Sequence, residues 1–300
     1  MTKTSIEWCR NPDGSPGEVW NPVTGCAKVS QGCKHCYAER IAERFWATQY
    51  PPNEDGSPRK FTDVRVHPER LDEPLHWRKP RRVFVNSMSD LFHPDVPGDF
   101  IREVFWTMQR CGWHTFLVLT KRPERMMKWL TYDPDAPVLP NVHFGVSIED
   151  QKTADKRIPL LLQTPAAVRG VSYEPALGPV NFTRIKWARI PVNKKDYEQY
   201  GVPAPSELWS MNNALTSRPV DQWNPPKIGL DWIIMGGESG PGARPMNPDW
   251  ARSVRDQCQA AGVPFFFKQM YVNGKLVKMP ELDGRVWDEY PRTVEEAMKG

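Results

Sequence analysis

The sequence predicts an α/β protein whose nearly continuous apolar strands, alternating with helices, build a covered parallel sheet: a barrel, a partial barrel or an open doubly wound sheet. Three observations predict it. Short apolar runs recur along the chain, each ends in polar or glycine residues, and most lead into a segment with helical spacing of its apolar positions.

In chain order, the first run is Glu18-Val-Trp20, just ahead of a group of cysteines, and a helical pattern over 37–48 follows. Arg82-Val-Phe-Val-Asn86 is the next strand and leads to a helix over 98–110. Thr115-Phe-Leu-Val-Leu-Thr120 is followed by a helix over 122–130, and Val142-His-Phe-Gly-Val-Ser-Ile148 by one over 150–162. Val168-Arg-Gly-Val-Ser-Tyr173 opens into a long irregular connection. Trp232-Ile-Ile-Met235 resumes the alternation with a helix over 248–260, capped by Asn247 and carrying Pro248 at its first position, where a missing N–H costs nothing. Val263-Pro-Phe-Phe-Phe-Lys268 closes the series.

Composition bounds what such a fold can be. Three hundred residues suit two domains or one α/β barrel, and 39% hydrophobic with 25% charged residues excludes a wholly disordered chain. No window reaches the apolar length of a membrane span and the N-terminus lacks the apolar stretch of a secretory signal, so a cytoplasmic location without a membrane partner is expected. Forty basic against thirty-six acidic residues gives +4, too small a surplus to imply nucleic-acid binding by itself. Thirty-one prolines imply short elements joined by rigid connections, and most of the thirteen tryptophans are expected in the core.

Two stretches break the alternation. Segment 59–82 carries eight basic residues (Arg59, Lys60, Arg65, Arg70, Arg78, Lys79, Arg81, Arg82) against Asp63, Glu69, Asp72 and Glu73, a local surplus equal to that of the whole chain. Residues 183–231 hold Trp187, Trp209 and Trp223 among Pro, Asn and Lys, a length that suits a lid, a substrate-binding subdomain or a decorative insertion. The expected organisation is one barrel-like catalytic domain over 1–182 and 232–300, interrupted by the insertion at 183–231.

Three of the six cysteines, Cys26, Cys33 and Cys36, fall within eleven positions as C-x6-C-x2-C. Clustered cysteines in a chain without an export signal point to metal ligation before disulfides. A two-residue gap lets two sulfurs converge on one centre, and Gly25 and Gly32 permit tight turns beside it. Two metals fit the pattern. An iron–sulfur cluster with one open corner needs these three alone, whereas structural zinc needs a fourth ligand, for which Cys9 is the candidate and His35 a poorer one. The cluster lies after the first strand and before the first helix, and in βα barrels that end of the strands is the active face.

The other strand ends are polar as well. Ser87, Ser89, Asp90 and His93 follow the second strand, Lys121 and Arg122 the third, Glu149 and Asp150 the fourth, and Glu174 comes directly after Tyr173. Glu238 and Ser239 follow Gly236-Gly237, and Lys268 leads into Gln269. Each acidic residue alone could be a helix cap; recurrence at every strand end argues for a common cavity. The stretch Gly236 to Arg244, with four glycines and an arginine, would let a flat or phosphorylated ligand approach its backbone.

The run GCxxxxxGCxHCYAER at 25–40, with SMSDLFH at 87–93, LTKRPER at 119–125, GVSIE at 145–149 and GGESGPGARP at 236–245, resembles a phage-associated three-cysteine protein family of unassigned function, over most of the chain. Three cysteines after the first strand, the last followed by an aromatic residue, also resemble the radical S-adenosylmethionine superfamily. The first gap is three residues longer than that superfamily's usual C-x3-C-x2-C, and its Gly-Gly-Glu comes after an earlier strand. This resemblance implies a partial or complete βα barrel with an insertion. It also implies a four-iron, four-sulfur (4Fe-4S) cluster on Cys26, Cys33 and Cys36, with S-adenosylmethionine on the fourth iron and an external electron donor. Lys121, Arg122 and Arg244 become candidates for the methionine carboxylate, Ser147 and Glu149 for the ribose, and Ser87, Ser89, Asp90, Gly236, Gly237 and Glu238 for further cofactor contacts. Glu174, Lys268 and Tyr173 are candidates to orient the substrate. The basic segment makes nucleic acid a candidate substrate, through repair or base modification. Two other classes stand beside this reading: a zinc-stabilised nucleic-acid-binding module and a metal-free interaction protein.

Overall fold

The computed structural model describes residues 3–132, 137–190, 208–216 and 229–291. After a 3-10 turn at Glu7–Cys9 come β1 (Glu18–Trp20), β2 (Val23–Thr24), α1 (Tyr37–Gln49), β3 (Arg65–Val66), β4 (Arg82–Val85), α2 (Gly98–Arg110), β5 (Thr115–Thr120) and α3 (Pro123–Leu130). Then follow β6 (Val142–Ile148), α4 (Gln151–Leu162), β7 (Val168–Tyr173), β8 (Ile185–Ile190), β9 (Leu208–Asn212), β10 (Trp232–Gly236), α5 (Pro248–Ala261), β11 (Phe265–Val272), β12 (Lys275–Lys278), β13 (Glu281–Leu282) and β14 (Arg285–Val286).

Eight strands form one sheet in the order β1-β4-β5-β6-β7-β10-β11-β12. All neighbours are parallel except the β11–β12 hairpin. Each parallel strand lies beside the next one along the chain. A doubly wound sheet would instead reverse direction at a switch point, so that alternative is overturned. The sheet is nevertheless open, since no pairing among the described residues joins β1 to the far edge and closes a barrel.

Apolar strands buried on both faces explain the continuous runs. One face packs against the helices, where Phe100, Ile101, Val104 and Met108 of α2 join the main core. On the other face Phe84 of β4, Leu117 of β5, Trp232 and Ile234 of β10 and Phe266 of β11 meet Trp8 and Cys9 in a second cluster. Strands that are not neighbours touch the same residues, so the sheet curls around this plug. Local chemistry sets the helix ends. Asp150 and Thr153 exchange bonds as a capping box on α4, while Asn247 caps α5.

Just before the stretch 183–231, Phe182 is buried and its N–H bonds to Gln257 of α5; within that stretch lies the β8–β9 hairpin, with β8 packed on α4. Residues 191–207 and 217–228, with Trp223, lie outside the described residues.

The basic segment is largely committed to the fold. Buried Arg59 stacks on Trp46 and Tyr50 at 4.3 and 4.5 Å and donates to the Thr24 hydroxyl at 2.6 Å. Arg65 binds Asn53, Arg70 donates to the Asn21 carbonyl, Arg81 pairs with buried Glu18 and Arg82 donates to the Arg10 carbonyl. Lys60, Arg78 and Lys79 are exposed, and Trp77 is core. No helix among the described residues is long and apolar enough to cross a membrane.

Candidate functional site

Parallel strands that share one direction bring all their following loops to one end of the sheet. There the structure holds a cavity of about 230 Å³, floored by Trp8, Phe84 and Leu119 of the inner plug. Cys26, Cys33 and Cys36 all line it, together with Ser87, Ser89, Asp90, Lys121, Arg122, Ser147, Glu174, Gly237, Glu238 and Lys268. The candidate cofactor and substrate residues therefore converge with four exceptions, and of the other strand-end residues His93 and Asp150 also lie off the wall.

Tyr173, Glu149, Gly236 and Arg244 are not on the cavity wall. Tyr173 is fully buried in the core and its hydroxyl donates to the Gly178 carbonyl, because its strand position turns it to the helix-covered face. Glu149 is also fully buried, where it accepts from the Ser30 hydroxyl at 2.7 Å and pairs with Arg157 at 3.1 Å. It stands under the cysteine loop, and a side chain at Gly32 would collide with it. Gly236 gives room to Glu174, whose Oε1 would lie 2.7 Å from an added Cβ. Arg244 grips Glu238 through Nε at 2.9 Å and Nη2 at 2.5 Å, with Nη2 also donating to the Gln31 carbonyl.

The cysteine loop is thus clamped from three sides. Gly25, at φ +95°, starts it in a turn that a side chain would oppose, and its N–H bonds to the Met88 carbonyl. Ser30 and Gln31 rest on Glu149 and Asp150. His35, inside the C-x2-C turn, bonds to Glu238 at 3.0 Å. Burial opposes the charged form of Glu238, yet the bonds from Arg244 and His35 prevail and hold its carboxyl at about 2.

Thiol chemistry follows position. Burial pushes the Cys26 thiol up to about 11, helped by the Asp90 charge and opposed by Arg122, whose Nη1 lies 3.4 Å from the sulfur. Cys9 sits elsewhere. Its thiol donates to the Glu18 and Arg82 carbonyls at the amino ends of β1 and β4, the opposite end of the sheet, so it is no fourth ligand to the other three. The cavity thus has three thiols beside open space, and His35, which lines the same cavity, holds Glu238 through Nδ1. Three thiols beside open space suit an iron–sulfur cluster with an accessible corner. Among the described residues, no three His, Cys, Asp or Glu side chains form a ready-made cage for a single metal ion.

Sequence reasoning missed several wall residues. Asn86 is buried at φ +61°; its Oδ1 accepts from the Val23 N–H while Nδ2 has no partner. Tyr37 donates to the Ser87 carbonyl, and Trp8 forms the floor from a segment with no strand or helix pattern. The signal available for Asn86 was its place at the end of a strand, as for Asp90. Lys268 and Glu174 face each other at 3.0 Å, a charge pair on adjacent sides of the wall.

A family model described as "Protein of unknown function (DUF5131)" matches residues 3–291. No curated protein matches the chain. Among solved structures, a cysteine-to-serine mutant of spore photoproduct lyase is similar at 15% identity and a TM-score of 0.37, over 58% of this chain and 48% of that one.

Proposed function

The chain belongs to that family of proteins of unknown function, and we propose that it is a radical S-adenosylmethionine enzyme. The observation that carries the reading is the shared cavity: three thiols separated in sequence by six and two residues open onto the same space as the polar strand ends, while Cys9 lies at the other end of the sheet. Cys26, Cys33 and Cys36 would hold the cluster. When bound, a 4Fe-4S cluster supplies the electron that cleaves S-adenosylmethionine to methionine and a 5′-deoxyadenosyl radical, which takes hydrogen from the substrate.

The chain's own residues do the rest. The ammonium of Lys121 has no ion-pair partner among the described residues and is the cation available to a carboxylate, since Arg122 and Arg244 are engaged by Asp90 and Glu238. The hydroxyl of Ser147 and the amide of Asn86 offer polar contacts deeper in the wall. Lys268 and Glu174 present a donor and an acceptor to the substrate, and the apolar floor excludes the solvent that would quench a radical. An external reductant is required. The exposed cations of the basic segment, Lys60, Arg78 and Lys79, leave too sparse a patch for nucleic acid to be preferred over a smaller substrate.

Anaerobic reconstitution with iron and sulfide tests the proposal. The expected result is a brown protein that, with dithionite and S-adenosylmethionine, forms 5′-deoxyadenosine. A reconstituted protein that makes none, or one that binds zinc in place of iron at these cysteines, overturns it.

A further inference from the structure

The spacing of the cysteines sets up an asymmetry. Cys33 and Cys36 are held together by one tight turn, whereas Cys26 lies seven positions before Cys33, and within the loop its sulfur meets only the neighbouring Ala27 carbonyl, at 3.5 Å. Something outside the loop must fix it, and the structure supplies a candidate in two residues from neighbouring strand ends.

Asp90 follows β4 and is buried. Its Oδ1 accepts from the Thr120 hydroxyl at 2.7 Å and the Phe92 N–H at 3.0 Å, and its Oδ2 from the Lys121 N–H at 3.1 Å and Arg122 Nη1 at 2.9 Å. Four donors from two strand ends leave this carboxylate no freedom to turn. Through it the Arg122 guanidinium is fixed as well, and its free edges reach the cysteine loop: Nη1 to the Cys26 sulfur at 3.4 Å and Nη2 to the Ala27 carbonyl at 2.9 Å. Neither of the other two thiols has such a partner among the described residues; Cys33 has only the Ser30 hydroxyl, at 4.0 Å. The stretches SMSDLFH and LTKRPER therefore meet at one sulfur.

We infer that Asp90 and Arg122 are positioning residues for the Cys26 corner, and that Arg122 is a charged donor to its sulfur that sets how readily a cluster held there accepts an electron. This rests on the cluster reading for its second half only. A guanidinium beside a ligand sulfur favours the more negative, reduced state, and the adjacent carboxylate offsets it. Removing one member of the pair shifts the balance one way, and removing the other shifts it the opposite way. A residue that merely supports the fold has no reason to give opposite signs.

Two measurements test this. In reconstituted protein followed by spectroelectrochemistry, R122Q lowers the cluster's midpoint potential and D90N raises it, each by about tenfold in the reduced-to-oxidised ratio, or about 59 mV for one electron. R122K keeps the charge, so its potential stays near that of the parent. In metal-free protein followed by hydrogen exchange, R122Q, R122K and D90N all speed exchange over residues 25–30 by about tenfold, since a charged hydrogen bond to this loop is lost, while exchange over 31–36 is unchanged. Shifts of the same sign in R122Q and D90N overturn the redox role, and unchanged exchange over 25–30 overturns the positioning role. A parent protein that takes up no iron removes the cluster reading and the redox half together, and the exchange measurement still decides whether the pair holds Cys26.

Discussion

The two ends of the same sheet use the same residue types for opposite purposes. At the amino end, Cys9 is buried, its thiol pushed up to about 12 by that burial and committed to two backbone carbonyls. Arg81 neutralises fully buried Glu18, and His143 faces a small cavity of about 90 Å³ walled by Trp113, Trp232 and Tyr290. Here cysteine, arginine and carboxylate lock strands together. At the carboxyl end, the cysteines border a cavity more than twice as large, and the ion pairs Asp90–Arg122, Glu149–Arg157 and Glu238–Arg244 stand around or behind it, each with a bond to the cysteine loop. The lesson is that residue type alone does not mark a site. What marks it is charge pairs whose remaining valences all turn toward one loop.

The sharpest way to break this contrast is at the cysteines themselves. C33A or C36A should abolish iron binding in reconstitution, while C9A should retain the full iron content and lose only the packing of a small buried side chain. Iron retained in C33A and lost in C9A would invert the assignment of the two ends. Next come the buried ion pairs. R81A leaves Glu18 buried and unpaired, and E149A leaves Arg157 so; each should cost about 3–5 kcal/mol in chemical denaturation. Only E149A should also lower iron content, because Glu149 supports Ser30 and Gly32 from beneath.

Much of this contrast was legible in the sequence, for reasons that can be located. Runs such as Thr115–Thr120 and Val142–Ile148 coincide with β5 and β6 because a strand buried on both faces must be apolar throughout, and these runs are short and rich in β-branched and aromatic residues. The direction shared by those strands then carried Lys121, Glu174 and Lys268 to one cavity. Arg122 and Arg244 were legible as site residues but not in role. Each is spent on a carboxylate, Asp90 or Glu238, and a one-dimensional pattern does not record which cation is already paired. Tyr173 misled for a different reason: it ends a strand, but period-two alternation turns it to the covered face. Trp8 and the open sheet edge were not legible, since the plug comes from an irregular segment and closure depends on curvature that no local signal encodes.

A smaller and more selective effect separates the ends by pH. Burial first, and the charge of Arg82 second, hold the His143 imidazole down to about 4, against an ordinary value near 6.5. Above about pH 6.5 the imidazole is neutral in both folded and unfolded chains and has no effect. As pH falls from there toward 4, the unfolded chain takes up the proton and the folded chain does not, so stability drops by up to about 3 kcal/mol. H143Q should flatten this part of the stability profile relative to the parent. Glu238 acts in a lower window: its stabilisation is present above the ordinary carboxylate value near 4.5 and is lost as pH falls toward about 2. An unchanged profile in H143Q between pH 6.5 and 4 would show that the amino-end cavity admits the charged form.

The smallest effect belongs to a residue that touches both the fold and the site. Asp150 caps α4 by accepting from the Thr153 N–H at 2.8 Å, and its other oxygen accepts from Gln31 of the cysteine loop at 2.6 Å. The first bond satisfies a helix-end donor that otherwise has no partner; the second is exposed and held by a flexible amide. D150A should therefore cost about 1 kcal/mol, the ordinary value of a lost cap, and D150N should recover most of it because asparagine caps nearly as well. Iron content should not change in either variant, since the bond from Ser30 to buried Glu149 remains to hold the loop. If D150A instead lost iron while keeping its stability, the loop would depend on its exposed contact, and the support assigned to Glu149 would have to move to the surface.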